Sequence, residues 1–346
     1  MVSTYVVNSD YNASYGFDIV IDESNTPVLM EMNGVVHAVG NRSYEIYKDD
    51  RVAREVCKRI LNCVKEPYPP LIYFSEFTPY MHCFRNMAYD RGWINQRFYR
   101  SYNYPASPTR FPDKYNVVDS KVGLVVGAWT RYFEVFYNIN PKLLVNPPEV
   151  ELLVRRKDIT YALMKDVGFE RNFPKTLILP CNTDELISFL DNTSGDTVLK
   201  KPKASSGGRG IELLEKYNLS LDIVNEDTML QEYVNHTLID GHFAVARVSY
   251  TKGFVDAFWK TAPQKWINRE NDQDVNSLIC SSVFHGGVAR EVSNLHKSIL
   301  SDFVNDLIPK FEKQILDLNL REYLYERNFS DMVVEEENKL LKILKR

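Results

Sequence analysis

Two stretches of this chain carry residue types that could handle phosphate. The first, Val198-Leu-Lys-Lys-Pro-Lys-Ala-Ser-Ser-Gly-Gly-Arg-Gly-Ile211, runs a short apolar strand into a lysine pair and then a glycine-rich turn. In the turn, Gly207, Gly208 and Gly210 beside Ser205 and Ser206 let the backbone approach an anion and adopt positive φ, so that successive N–H groups point into one concavity. Lys200, Lys201, Lys203 and Arg209 surround it with positive charge. Neither a Gly-x-x-x-x-Gly-Lys-Ser/Thr run nor a Gly-x-Gly-x-x-Gly opening a helix is present, so the P-loop and dinucleotide fingerprints do not apply. Ile211-Glu-Leu-Leu214 reads as a second strand, which makes the stretch a strand–turn–strand flap able to close over a nucleotide. The alternative is a Ser-Gly-Gly hairpin turn in a surface loop.

The second stretch, Tyr15 to Gly34, reads as strand, polar turn, strand. Asp18 opens the first arm. Glu31 and Asn33 lie two apart on the second and therefore share a side of the sheet. Two carboxylates and an amide oxygen are hard ligands suited to magnesium, which takes one or two carboxylates and completes its shell with phosphate and water. The alternative is a solvated polar face on an edge hairpin.

The elements that would position these residues alternate along the chain. Residues 48–64 read as an amphipathic helix, with Val52, Val56, Ile60 and Val64 at helical spacing. Lys65-Glu-Pro-Tyr-Pro-Pro70 marks a boundary, because three prolines in four positions stop a helix. Beyond it come strands at 71–75 and 96–100 with a helix at 78–91 between them, a small α/β layer. The loop at 101–116 holds Tyr102, Tyr104, Arg110 and Phe111, a packed surface loop or a base-stacking one. A helix ending at Gly168, a strand at 173–179 and a helix at 183–190 lead back to the lysine strand. A strand at 228–234 follows, and then a hairpin of residues 242–250 and 252–259 that carries Arg247 and Lys260.

Composition narrows the classes. The 346 residues suggest two or three domains, and 44% hydrophobic with 25% charged residues is ordinary for a soluble globular protein. A net charge of −4 argues against broad nucleic-acid binding. No apolar run is long enough to span a bilayer, so a cytoplasmic, membrane-free protein is expected. Five scattered cysteines without a Cys-x-x-Cys pair argue against structural zinc and a disulfide framework.

In this order the features resemble the ATP-grasp superfamily of carboxylate ligases, over roughly residues 146–318 and the hairpin at 16–34. Asn-Pro-Pro-Glu at 146–149, Arg-Lys-Asp at 156–158 and Phe-Pro-Lys-Thr at 173–176 resemble the linker that enters the grasp. Leu-Lys-Lys-Pro with Ser-Ser-Gly-Gly-Arg-Gly resembles its ATP-clamping lysine and flexible loop, which puts Lys201 in the lysine role. Gln231-Glu-Tyr-Val234 is similar to the interdomain adenine strand, and Asp18 with Glu31-Met-Asn33 to the magnesium set. The resemblance implies an α/β chain of the α+β grasp type. A metal hairpin and helix would occupy residues 1–64, a small pre-grasp α/β domain 71–145, and the nucleotide-binding domain 146–346. It further implies ATP and magnesium as cofactors, with Lys157, Lys201, Ser205, Ser206, Gly207, Gly208, Gly210, Gln231, Glu232, Tyr233, Val234 and His242 around the nucleotide. Arg247 and Lys260 would stabilise the transferring phosphoryl group, and His285-Gly-Gly287 would contact substrate. The implied reaction activates a small-molecule or peptide carboxylate as an acylphosphate for attack by an amine or other nucleophile; a nucleotide-binding scaffold without turnover is the competing class.

Two departures from the family pattern stand out. The metal hairpin comes before the α/β layer rather than after the grasp, which implies either a permuted single site or a segment of a second grasp unit. His242 stands where a ribose-binding Glu is usual. Phe17-Asp-Ile-Val-Ile-Asp-Glu-Ser-Asn25 also aligns with Ser330-Asp-Met-Val-Val-Glu-Glu-Glu-Asn338, a faint repeat that keeps a second grasp unit or a homodimer among the expectations.

Overall fold

The computed structural model describes residues 13–34, 46–63, 71–74, 83, 87, 97–100, 122–126, 143–146, 150, 153–154, 156–203, 210–235, 237–265 and 287–318. In chain order its elements begin with β1 (Ser14–Ile21), β2 (Pro27–Asn33), α1 (Arg51–Asn62), β3 (Leu71–Phe74), β4 (Arg97–Arg100), β5 (Val122–Val126) and β6 (Leu143–Val145). There follow α2 (Lys157–Asp166), β7 (Thr176–Ile178), α3 (Thr183–Asn192), β8 (Thr197–Pro202), β9 (Glu212–Glu215) and β10 (Thr228–Glu232). The last are β11 (Thr237–Ile239), β12 (His242–Thr251), β13 (Phe254–Lys265), β14 (Val288–Glu291) and α4 (Asn294–Asp317).

The chain is α+β. A six-stranded antiparallel sheet runs β14-β13-β12-β1-β2, with β11 added on β12. A second antiparallel sheet runs β7-β10-β8-β9. The third, β4-β3-β5-β6, is parallel, as alternating strands and helices at 71–145 suggested. The helix expected at 78–91 and the loop at 101–116 fall largely or wholly outside the described residues, as does the repeat at 330–338.

Strand alternation sorts the large sheet into two unlike faces. Tyr15, Phe17, Ile19 and Ile21 of β1 point the same way as Ala244, Ala246, Val248 and Tyr250 of β12 and Ala257 and Trp259 of β13. This face is sealed by Ile159, Leu163 and Met164 of α2 and by Leu300, Val304, Leu307, Ile308 and Phe311 of α4, all at most 1% exposed. A bulge in β2 keeps the second strand in phase. Asp18 faces Glu31 but Ile19 faces Leu29, so Met30 is the extra residue, and Leu29 and Met32 reach the core while Glu31 and Asn33 take the other side.

On that other side α1 covers part of the sheet, with Val52 against Phe258. Arg59 locks the helix to the β12–β13 turn through hydrogen bonds to the carbonyls of Thr251, Gly253 and Phe254 at 3.2, 2.9 and 2.9 Å. The turn itself, Lys252-Gly253, has φ of 50° and 111°, and a lysine tolerates that conformation less well than the glycine beside it.

The smaller antiparallel sheet buries Val198 and Leu230 with Leu177 and Leu214 against Leu186 and Phe189 of α3. A capping box starts α3: Glu185 N–H donates to the Asn182 side chain and Asn182 N–H to the Glu185 carboxylate, at 2.8 and 2.9 Å. No helix among the described residues is long and apolar enough to cross a membrane.

Candidate functional site

Beyond α1, the large sheet's second face holds a charged cluster. Asp18 of β1 lies between Glu31 of β2 and Arg247 of β12 in the strand register, so all three share that face. Lys260, two residues beyond Phe258 on β13, joins them. The Asp18 Oδ1 accepts from Arg247 Nε at 2.7 Å and lies 2.8 Å from Lys260 Nζ, and its Oδ2 accepts from Arg247 Nη2 at 3.0 Å. Burial pushes the Asp18 carboxyl up, but the Arg247 guanidinium and Lys260 ammonium together hold it down at about 2. Burial and then the neighbouring Arg247 lower the Lys260 ammonium, against the pull of Asp18 and Glu31. For Arg247 burial works downward, yet Asp18 wins and raises it.

The smaller sheet and α2 each bring one more cation to the same place. Alternation on β8 turns Lys201 inward, only 7% exposed, where its Nζ donates to Gln231 Oε1 and Gln231 Nε2 in turn donates to Thr176 Oγ1 at 3.1 Å. Its neighbour Lys200 points the opposite way and pairs with Glu212 and Glu226 at 3.1 and 3.2 Å, so it takes no part in the concavity expected around the loop. Burial, then the nearby Lys157, brings the Lys201 ammonium down to about 8, with Glu31 acting against them. Lys157 Nζ lies 3.8 Å from Glu31, and its N–H donates to the carbonyl of Lys203, which ties the first turn of α2 to the end of β8. Among the described residues, four cationic side chains therefore gather around two carboxylates, drawn from β1, β2, β8, β12, β13 and α2.

The other expected site residues are spread more widely. Gly210 has φ of 71°, and a Cβ there would meet Pro202 Cγ at 2.9 Å, so glycine is required where the flap rejoins β9. Ser205, Ser206, Gly207 and Gly208 lie outside the described residues, as do His285 and Gly286. Glu232 turns away from the cluster: its Oε1 accepts from Ser194 N–H and hydroxyl at 2.8 and 2.5 Å. Gln231, expected at the adenine strand, spends its amide on Lys201 and Thr176. Tyr233 and Val234 follow the end of β10, half-buried. His242 begins β12, with its Nδ1 2.9 Å from the Ala262 carbonyl.

Metal donors are present in part. Among the described residues no three His, Cys, Asp or Glu side chains gather to hold a metal. Asp18, expected as a magnesium ligand, gives its oxygens to two cations. Among the described residues no cation lies nearer the Glu31 carboxylate than Lys157 at 3.8 Å, and Asn33 Nδ2 is buried without a hydrogen-bond partner. A half-turn of that amide exchanges its ends, so it can present oxygen to a cation or N–H to a phosphate. One carboxylate and one amide suit magnesium, which leans on phosphate and water for the rest of its shell.

Two residues without obvious signals in the sequence hold this arrangement. Thr176 anchors the Gln231 amide. Asn146, 2% exposed and read only as part of a linker, accepts from Ser14 N–H at 2.6 Å and donates to the carbonyls of Ser14, at 2.9 Å, and Gly34, clasping the open end of the β1–β2 hairpin.

No protein-family model matches the chain, and no curated protein matches its sequence. Among solved structures it is similar to a protein of Methylobacillus flagellatus KT that is provisionally named a gamma-glutamylcysteine synthetase, with a TM-score of 0.49 and 10% identity over 90% of this chain and 91% of that one.

Proposed function

We propose that the chain is an ATP-dependent carboxylate ligase of the ATP-grasp type. The observation that carries this reading is the meeting of Lys201 and Lys157 with Arg247 and Lys260 around Asp18 and Glu31, between two antiparallel sheets. Four cations held close together among the described residues suit a polyanion, and a triphosphate supplies one. The N-terminal hairpin belongs to this single site in our reading, because Glu31 acts on Lys157 and Lys201 directly.

ATP would lie with its phosphates against Lys201, Lys157 and the glycine turn. Glu31 and Asn33 would hold magnesium, whose bound charge would neutralise phosphate oxygens. A substrate carboxylate oxygen attacks the γ-phosphorus, the bond to the ADP oxygen breaks, and an acylphosphate forms. An amine then attacks the acyl carbon, inorganic phosphate leaves with the C–O electron pair, and the amine nitrogen loses a proton. Arg247 and Lys260 stabilise the charge on the transferring group; positioning and electrostatics supply the catalysis, so no dedicated base is required.

A second reading, a nucleotide-binding scaffold without turnover, is favoured by one observation, the engagement of Asp18 by two cations. ADP release across a panel of small-molecule and peptide carboxylates with amines separates the two. Turnover dependent on both a carboxylate and an amine is the expected result. ATP binding with no ADP release across the panel would leave the scaffold.

A further inference from the structure

We infer that Asp18 is a positioning residue for Arg247 and Lys260 and is not a ligand of the metal, an inference that rests on the nucleotide reading above. Asp18 is 6% exposed, and each of its oxygens already accepts from a cation fixed on a neighbouring strand. A divalent ion reaching Asp18 would come up against the ammonium and guanidinium already on its oxygens, and displacing either would leave that cation buried and without its anion, which is strongly unfavourable. Glu31 and Asn33 present no such obstacle: the Glu31 side chain is 30% exposed with one cation at 3.8 Å, and Asn33 carries a buried amide nitrogen without a partner.

The same geometry shows what Asp18 does for its partners. It grips Arg247 through Nε and Nη2, which fixes the guanidinium plane and leaves the Nη1 donors for another acceptor. Gly16, two residues earlier on the same face, lies beside that plane and beside Asn33, since a Cβ there would stand in ordinary contact, 3.5 Å from Arg247 Nη1 and 3.8 Å from Asn33 Cβ. Lys260, with three donors, gives one to Asp18. Two cations are thereby aimed by one carboxylate, and they share a sheet face with Glu31 and Asn33.

The test is binding of Mn2+, in place of magnesium, to the full chain in the presence of ADP, followed by electron paramagnetic resonance. Glu31→Gln is expected to weaken Mn2+ binding by about tenfold or more, the scale on which metal sites respond to loss of a supporting carboxylate. Asp18→Asn is expected to stay within about threefold of the parent, a change worth less than half of a tenfold step on the logarithmic affinity scale. Asp18→Asn/Lys260→Met removes one charge of each sign, keeps the buried balance if the single variant does not fold, and is expected to do the same. Uncoupled ATP hydrolysis supplies the readout that a purely structural role would not move: in folded Asp18→Asn, kcat falls by about tenfold or more while KM for ATP changes by less than about threefold. Loss of Mn2+ affinity in the Asp18 variants as large as in Glu31→Gln would overturn the inference, and so would an unchanged kcat. Should the parent bind neither ADP nor Mn2+, the nucleotide reading fails first and takes this inference with it, an outcome distinct from parental binding that is lost with Asp18.

Discussion

The two faces of the six-stranded sheet are built from alternate residues of the same strands, yet they obey different physics. On one, Phe17, Ile19, Ala246, Val248 and Trp259 meet α2 and α4, and stability comes from removing apolar area from water. On the other, Asp18, Arg247 and Lys260 are nearly as well buried but must satisfy one another's charge, which stabilises little beyond offsetting the penalty of desolvation. The lesson is that burial alone does not identify a core. A face that spends its burial on mutually paired ions, in a position that packing did not require, is a candidate for chemistry.

The contrast sets an order of expected effects. Trp259→Ala, on the apolar face at 1% exposure, should destabilise the fold by about 4 kcal/mol through lost transfer energy and a cavity, measured by urea unfolding. A loss below about 1 kcal/mol would mean that this face is loosely packed.

On the charged side the effects depend on pH. The folded Lys201 titrates at about 8 against 10.5 for the exposed side chain, so between those values the unfolded chain binds more protons and stability rises with pH. Relative to Lys201→Met, the parent should gain about 3 kcal/mol between pH 7 and 10.5. Asp18 runs the other way. Its folded value of about 2 lies below the ordinary 3.8, so its contribution is complete above about pH 4 and is lost as pH falls toward 2. Compared with Asp18→Asn, the parent should lose about 2 kcal/mol over that window, read from unfolding midpoints. A flat difference in either case would mean that the charged groups are better solvated than their burial implies.

The smallest effect belongs to a region remote from both faces. Asn182→Ala removes the side-chain half of the α3 capping box and should destabilise by about 1 kcal/mol. Nucleotide affinity should be unchanged, which makes this variant a control for stability effects transmitted indirectly.

Much of this contrast was legible in the residues before any coordinates. Strict alternation in Tyr15-Gly-Phe-Asp-Ile-Val-Ile marked β1, and the spacing of Glu31 and Asn33 put them on one side, because a strand's period of two leaves no freedom. The strand after the turn was legible too, since Ile211-Glu-Leu-Leu214 read as the second arm of a flap, although a surface hairpin fitted the glycines as well. What stayed hidden depends on contacts between segments far apart in sequence. The pairing of Asp18 with Arg247 joins positions 229 apart, and nothing local distinguishes a carboxylate awaiting a metal from one already held by cations. Asn146 looked like linker punctuation because its partners, Ser14 and Gly34, lie more than 100 residues away. Helix α4 was overlooked although Leu300, Phe303, Val304, Leu307, Ile308 and Phe311 keep helical spacing; it carries Pro309 inside it, and the apolar packing on both sides of that proline overrides the local penalty.

The central claim is that cations from two sheets and one helix form a single phosphate site, and calorimetric titration with ATP and magnesium tests it most directly. The parent should bind one equivalent, and Lys201→Met should bind at least about tenfold more weakly, because one charge-assisted contact contributes about 1.5 to 3 kcal/mol. An affinity unchanged by Lys201→Met, or a parent that binds no ATP at all, would contradict it.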